Sequence, residues 1–218
     1  MIESQISVEY IDHMGSDKSV VNAARVSFDK DNVNDNVLTM RDEKLIAYLA
    51  REDHWTPFAH TSITLKCKVP IFAVRQLAKH QVGGVVNEVS RRYIDSEPEF
   101  WFPEIYRARA DNVKQGSSND SIQHGMVAND KARLATSKSL ETYKELLEMN
   151  VAPEIARMVL PLNTMTSWYW TGSLMFFARV CKQRLDPHAQ KEVQEFALLV
   201  RDIIQPLFPV SWKELMEN

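Results

Sequence analysis

The residues with the most chemical potential lie in one short run, KHQVGGVVNEVSRRY, from Lys79 to Tyr93. It holds Lys79, His80, Arg91 and Arg92 against a single carboxylate, Glu88, and no acid occurs from Pro70 to Asn87. A solvated surface segment usually intersperses both signs, so the imbalance reads as a socket for an anion. Arginine presents a planar fork to phosphate oxygens, and a small anionic ligand would draw on Arg75 or Lys79, on Arg92, and on a remote arginine. The competing reading is structural: Glu88 pairs with Arg92 along one strand face. Arg157, in the apolar IARMVLPLN, where a buried guanidinium calls for a carboxylate or phosphate, and Arg184, in QRLDPHAQ just outside a helix N-terminus that favours anions, are candidates for the remote cation, with snorkelling from the core edge as the competing reading for each.

The pattern excludes several other chemistries. No Walker loop or GxGxxG run is present, so a phosphate would not be held in the usual nucleotide-fold way. His54 and His60 flank Pro57, but no HExxH or Cys/His cluster exists, and no metal is expected. Ser90 lacks a GxSxG elbow and reads as a hydrogen-bonding contact rather than a nucleophile. Cys67 and Cys181 lie far apart in apolar surroundings and read as buried, reduced thiols. The formal net charge of -3 argues against general nucleic-acid binding, and no apolar run reaches the length of a membrane span. The start, MIESQISVEYID, does not read as a signal peptide, so a cytoplasmic location is expected.

The elements that must position these groups follow from periodicity. Ile6, Val8 and Tyr10 alternate with polar residues as a first strand, and Asp17 is expected to cap a helix through VVNAARV. A second helix is predicted over DEKLIAYLARE. TSITLKCKV alternates Ile63, Leu65, Cys67 and Val69 with polar residues, as a half-buried strand does. Pro70 suits the first turn of a helix PIFAVRQLAKHQ ending before Gly83 and Gly84, where Arg75 and Lys79 lie four apart and call for a partner. VVNEVSRRY then reads as a strand with Glu88, Ser90 and Arg92 on one face.

The polar stretch from Asp111 to Asp130 is expected to be a long surface loop. Beyond it the spacing predicts a long helix from about Lys131 to Met149, a shorter one at PEIARMVL, a strand at TMTSWYW and an apolar helix at GSLMFFARVCKQ. Asp186 and Pro187 read as cap and first residue of a last long helix, with His188 in its first turn. With 44% apolar and 25% charged residues and no repeats, the 218 residues are expected to form one α+β domain, a mostly antiparallel sheet packed by several helices.

In that setting the chain resembles the flavin-dependent thymidylate synthases, whose signature reads RHRxxSxNExSxRY. AARVSF, HWTPFAH, PIFAVRQ, ARMVLPLN and RLDPHAQ also resemble family segments, in the expected order. The departures are Lys79 and Gln81 in place of two arginines, one extra residue between Gln81 and Ser90, and Arg91 where glycine is usual. The resemblance implies reductive methylation of dUMP to dTMP, with methylenetetrahydrofolate as one-carbon donor and FAD, reduced by NADPH, as hydride source. It implies that Gln76, Lys79, Glu88, Ser90, Arg91, Arg92, Arg157 and Arg184 contact dUMP, with Arg184 activating the uracil ring. Lys79, His80, Gln81 and Glu88 would contact FAD, as would Ser27, His54, Thr56, Ser173, Arg179 and His188. The family's assembly, a homotetramer with shared active sites, is expected too. The alternative is a catalytically silent homologue that binds the nucleotide and has lost flavin chemistry.

Overall fold

The structure is a computed structural model that describes residues 1–29, 37–94, 96–110 and 116–218. In chain order its strands and helices are β1 (Ile2–Glu3), β2 (Ser7–Met14), α1 (Asp17–Arg25), α2 (Met40–Arg51), β3 (Ser62–Pro70), α3 (Ile71–Leu77), β4 (Gly84–Glu88), β5 (Glu99–Phe100), β6 (Arg107–Arg109), β7 (Ser117–Ser121), α4 (Gly125–Glu148), α5 (Pro153–Ala156), β8 (Met165–Gly172), α6 (Leu174–Arg184), α7 (Lys191–Ile204) and α8 (Pro209–Glu217). Short 3-10 turns sit at Val26–Phe28, Thr56–His60 and Arg157–Val159.

The central sheet has the order β2-β3-β8-β4, every neighbour antiparallel, which is the expected α+β architecture. On β3 the alternation places Ile63, Leu65, Cys67 and Val69 fully inside. Burial of each aliphatic side chain contributes about 1.5–3 kcal/mol. Trp168 and Trp170 of β8 continue that face, against Phe177 of α6 and Phe196 of α7. α7 presents Val193, Phe196, Ala197, Val200 and Ile204 to the core, the spacing of one helical stripe. A smaller apolar cluster around Phe100, Phe102, Leu140, Tyr143 and Ala156 packs α4 and α5 beside the sheet. Cys67 and Cys181 are buried free thiols, and among the described residues no helix is long and apolar enough to cross a membrane.

Several boundaries differ from expectation for identifiable reasons. The N-cap of α1 is Ser16, not Asp17. The buried Asp17 carboxylate instead accepts from the amides of Val210 and Ser211, at 3.0 and 2.8 Å, and so satisfies the start of α8. The polar stretch after Ala110 is not one long loop. Its described part holds β7, paired with β6, and the first turns of α4, which begins at Gly125 rather than Lys131; residues 111–115 lie outside the described residues. PEIARMVL divides into α5 and a 3-10 turn, because Leu160 is extended before Pro161. The last long helix starts at Lys191. Asp186 makes a separate turn, accepting from the His188 amide at 2.7 Å, so His188 precedes the helix and does not belong to its first turn.

Candidate active site

Arg184 is the last residue of α6, a helix begun by the Ser173 hydroxyl, which accepts from the Phe176 amide at 3.2 Å. Seven of its residues, from Leu174 to Cys181, are buried and anchor the helix in the core. α3 stops at Leu77 and not at Gln81, because the His80 amide turns back to the Leu77 carbonyl. That turn leaves the Gln76 carbonyl without a helical donor, and Arg184 Nη2 supplies one at 2.8 Å. Arg184 Nε donates to His80 Nε2 at 2.9 Å. To accept there, His80 must be neutral with its proton on Nδ1. Burial, and then the facing guanidinium, push its pKa down to about 4. Burial also lowers the pKa of Arg184 itself.

These groups border a cavity of about 770 Å³ lined by Gln76, Arg107, Gly116, Ser117, Gln183, Arg184, Asp186, His188, Ala189 and Gln190. Lys79 and Gln81 stand exposed in the turn between α3 and β4, which Gly83 completes at φ +87°. Gly84 of β4 pairs with Gly172 of β8, and the ring of Phe176 lies on both. A Cβ would meet the ring at 2.4 Å from Gly84 and at 2.2 Å from Gly172. This glycine pair is therefore the seat through which α6 fixes the turn carrying Lys79 to Gln81.

A second group gathers where β4 ends. The ladder with β8 runs only to Glu88, opposite Trp168, so Glu88, Ser90 and Arg92 do not share a strand face. Ser90 takes the chain out of the sheet: its carbonyl accepts from the Tyr93 amide at 3.1 Å and its hydroxyl from Arg92 Nε at 3.2 Å. Glu88 pairs with the Thr166 hydroxyl at 2.6 Å rather than with Arg92. Glu88, Arg91 and Arg157 line a second cavity of about 280 Å³, together with Lys68 and Thr166. Arg157 is exposed and not buried, since the 3-10 turn rotates it outward, and its Nε donates to the Glu154 carbonyl at 3.2 Å.

The third group sits beside the middle of α6. His54 and Thr56 flank Trp55, over whose ring the Arg179 guanidinium lies at 5.6 Å. Ser27, in the turn at Val26–Phe28, is exposed, as are His54, Thr56 and Arg179. Ser173 is the α6 N-cap. The two cavities share no lining residue, so within one chain Gln76, Arg184 and His188, with His80 joined through Arg184, lie at one and Glu88, Arg91 and Arg157 at the other.

Sequence reasoning missed Arg107, Ser117, Gln190, Glu192, Lys68 and Thr166. Gln190 stands at the end of RLDPHAQ, but nothing in its spacing announces a partner in α3. Arg107 lies in RAR, at the edge of a stretch whose polarity masks a hairpin.

Chemically, the arrangement offers a fixed cation beside one cavity and a mixed set of cations and acceptors beside the other, which suits a ligand with a polar ring and an anionic tail. The family model of the Thymidylate synthase complementing proteins, Thy1, matches residues 9–210. A flavin-dependent thymidylate synthase of Thermus thermophilus is 36% identical over 212 residues, 97% of this chain and 76% of that protein. The chain belongs to the flavin-dependent thymidylate synthase family. Another member, from Thermosipho africanus, is 37% identical over 209 residues, covering 95% of this chain and 89% of its own. Among solved structures, the UMP/dUMP methylase PolB from Streptomyces cacaoi, bound with 5-Br dUMP, is similar at a TM-score of 0.88 and 31% identity, with 99% of this chain and 97% of that chain covered.

Proposed function

We propose that this chain methylates dUMP to dTMP reductively, taking the methylene of methylenetetrahydrofolate and using FAD reduced by NADPH. The observation that carries this reading is the immobilised Arg184, held at Nε by His80 and at Nη2 by the Gln76 carbonyl, at the edge of the larger cavity. A cation fixed there favours the polarised uracil ring without reorganising when charge develops. Gln76 and Arg184 would face the base. Lys79, Glu88, Ser90, Arg91, Arg92 and Arg157 would hold the rest of the nucleotide, with the exposed arginines free to close on its phosphate.

The residues present fit a flavin dinucleotide. Arg179, braced on Trp55 beside the exposed His54 and Thr56, offers a cation and donors of the kind a diphosphate requires. Those residues, with Ser27, Ser173, Lys79, His80, Gln81, Glu88 and His188, would hold FAD, which when bound supplies the hydride. The chain's own part is to orient the ligands and to keep His80 neutral.

The homotetramer with shared sites agrees with two features. The two cavities are separate within one chain, and apolar side chains stand out on edge strand β4, with Val85 70% exposed, and on α4, with Met126 85% exposed. The test is to incubate the purified protein with dUMP, methylenetetrahydrofolate and NADPH and to measure dTMP with and without FAD. Flavin-dependent dTMP is expected. No dTMP even with chemically reduced FAD, while dUMP still binds, would establish the silent nucleotide-binding alternative and point to Lys79 and Gln81.

A further inference from the structure

Along the wall of the larger cavity, a continuous hydrogen-bond relay joins three elements, with Glu192 set back from the lining. Glu192 in the first turn of α7 is only 4% exposed. Its Oε1 accepts from Arg107 Nη2 at 2.5 Å and its Oε2 from Gln190 Nε2 at 2.8 Å. Gln190 Oε1 then accepts from Gln76 Nε2. Arg107 also donates through Nε to the Ser117 hydroxyl at 2.8 Å, which ties the β6–β7 hairpin to the same point. An ionised carboxylate only accepts, whereas an amide has two unlike ends. Glu192 therefore dictates the direction of the whole row: Gln190 must turn its NH2 inward and its oxygen toward Gln76, and Gln76 must spend its NH2 on Gln190. The Gln76 side-chain oxygen is the end left over.

We infer that Glu192, braced by Arg107, is a positioning residue that sets the amide polarity and pose of Gln76 in the nucleotide pocket. The inference rests on the proposed dUMP reading. Glu192 does not line the cavity and so acts through Gln190 and Gln76, and Gln76 is also the residue whose carbonyl holds Arg184. Glu192→Gln preserves the shape but introduces a donor, and the row can then run in the opposite sense.

The experiment measures dUMP affinity calorimetrically on the FAD-loaded protein for wild type, Glu192→Gln, Gln76→Ala and the double variant. Glu192→Gln is expected to weaken dUMP binding about tenfold, the scale usual for residues acting through a contact residue. Flavin absorbance should stay unchanged, and the fall in thermal midpoint from weakening the buried pair with Arg107 should be the same in the Gln76→Ala background. In the Gln76→Ala background the same substitution should change affinity by less than about twofold, since it acts through Gln76. Equal losses in both backgrounds, or no loss in either, would overturn the inference. A ligand-free crystal structure of Glu192→Gln supplies an independent arm. Gln76 is expected to turn or leave Gln190, and an unmoved Gln76 would sink the idea. Failure of wild type to bind dUMP would count against the proposed function alone, with the crystallographic arm still deciding the relay.

Discussion

Arg184 and Arg157 are both arginines at the rim of a cavity, but they are held in opposite ways. Arg184 is half-buried, and two of its nitrogens are engaged by His80 and by the end of α3. Arg157 is exposed and, among the described residues, bonds a carbonyl of its own turn. A guanidinium already locked in place costs no ordering entropy when charge develops beside it, whereas a free one can reach a ligand but loses rotamer freedom in doing so. Under the proposed function, the contrast predicts chemistry for the first and affinity for the second.

The sharpest way to break that contrast is Arg184→Ala. It should lower the rate of dTMP formation by about 100-fold or more, the scale of removing one fixed donor from a developing charge. Flavin absorbance should persist. Near-normal turnover would remove the activating role. Arg157→Ala should weaken dUMP binding by roughly 10- to 100-fold, as for loss of one charge-assisted hydrogen bond, with kcat largely retained. A matching fall in kcat would show that the two arginines do not divide their roles.

Gly172→Ala tests the scaffold that holds Arg184. Its Cβ would run into the Phe176 ring, which lies over both Gly84 and Gly172 and packs against Trp170 and Phe177. A loss of about 1–3 kcal/mol in urea-unfolding stability is expected. The smallest effect concerns pH. The folded pKa of His80, about 4, lies below its ordinary 6.5. The stabilisation from neutral His80 is therefore complete above about pH 6.5 and is lost as pH falls toward 4. Because the ring is half-exposed, the loss should be on the order of 1 kcal/mol. Comparing unfolding midpoints at pH 7 and pH 4.5 checks this: His80→Gln, which cannot titrate, should show the smaller drop.

Much of the scaffold was legible because it is periodic. The alternation at Ile63, Leu65, Cys67 and Val69 predicted β3 and its buried face, and α2, α6 and β8 lie close to where their patterns put them. The end of β4 was not legible. A period of two cannot reveal that Ser90 bonds its own turn, so the expected face of Glu88, Ser90 and Arg92 dissolved into a strand end and a bend. Asp17 was recognisable as a capping residue but not as the cap of α8, at the far end of the chain.

The sequence alone determined the apolar stripes, the cluster of cations around a single carboxylate, and the ordered segments that mark the family. These are properties of residue type and short spacing, where local geometry suffices. Tertiary structure decided which cations are fixed and which are free. Arg184 meets His80 and Gln76 across more than a hundred residues, and Glu192 meets Arg107 across 85. Such bonds join groups that periodicity cannot relate. They depend on the packing of the sheet and α6, which brings a helix end with an unsatisfied carbonyl against a guanidinium able to fill it.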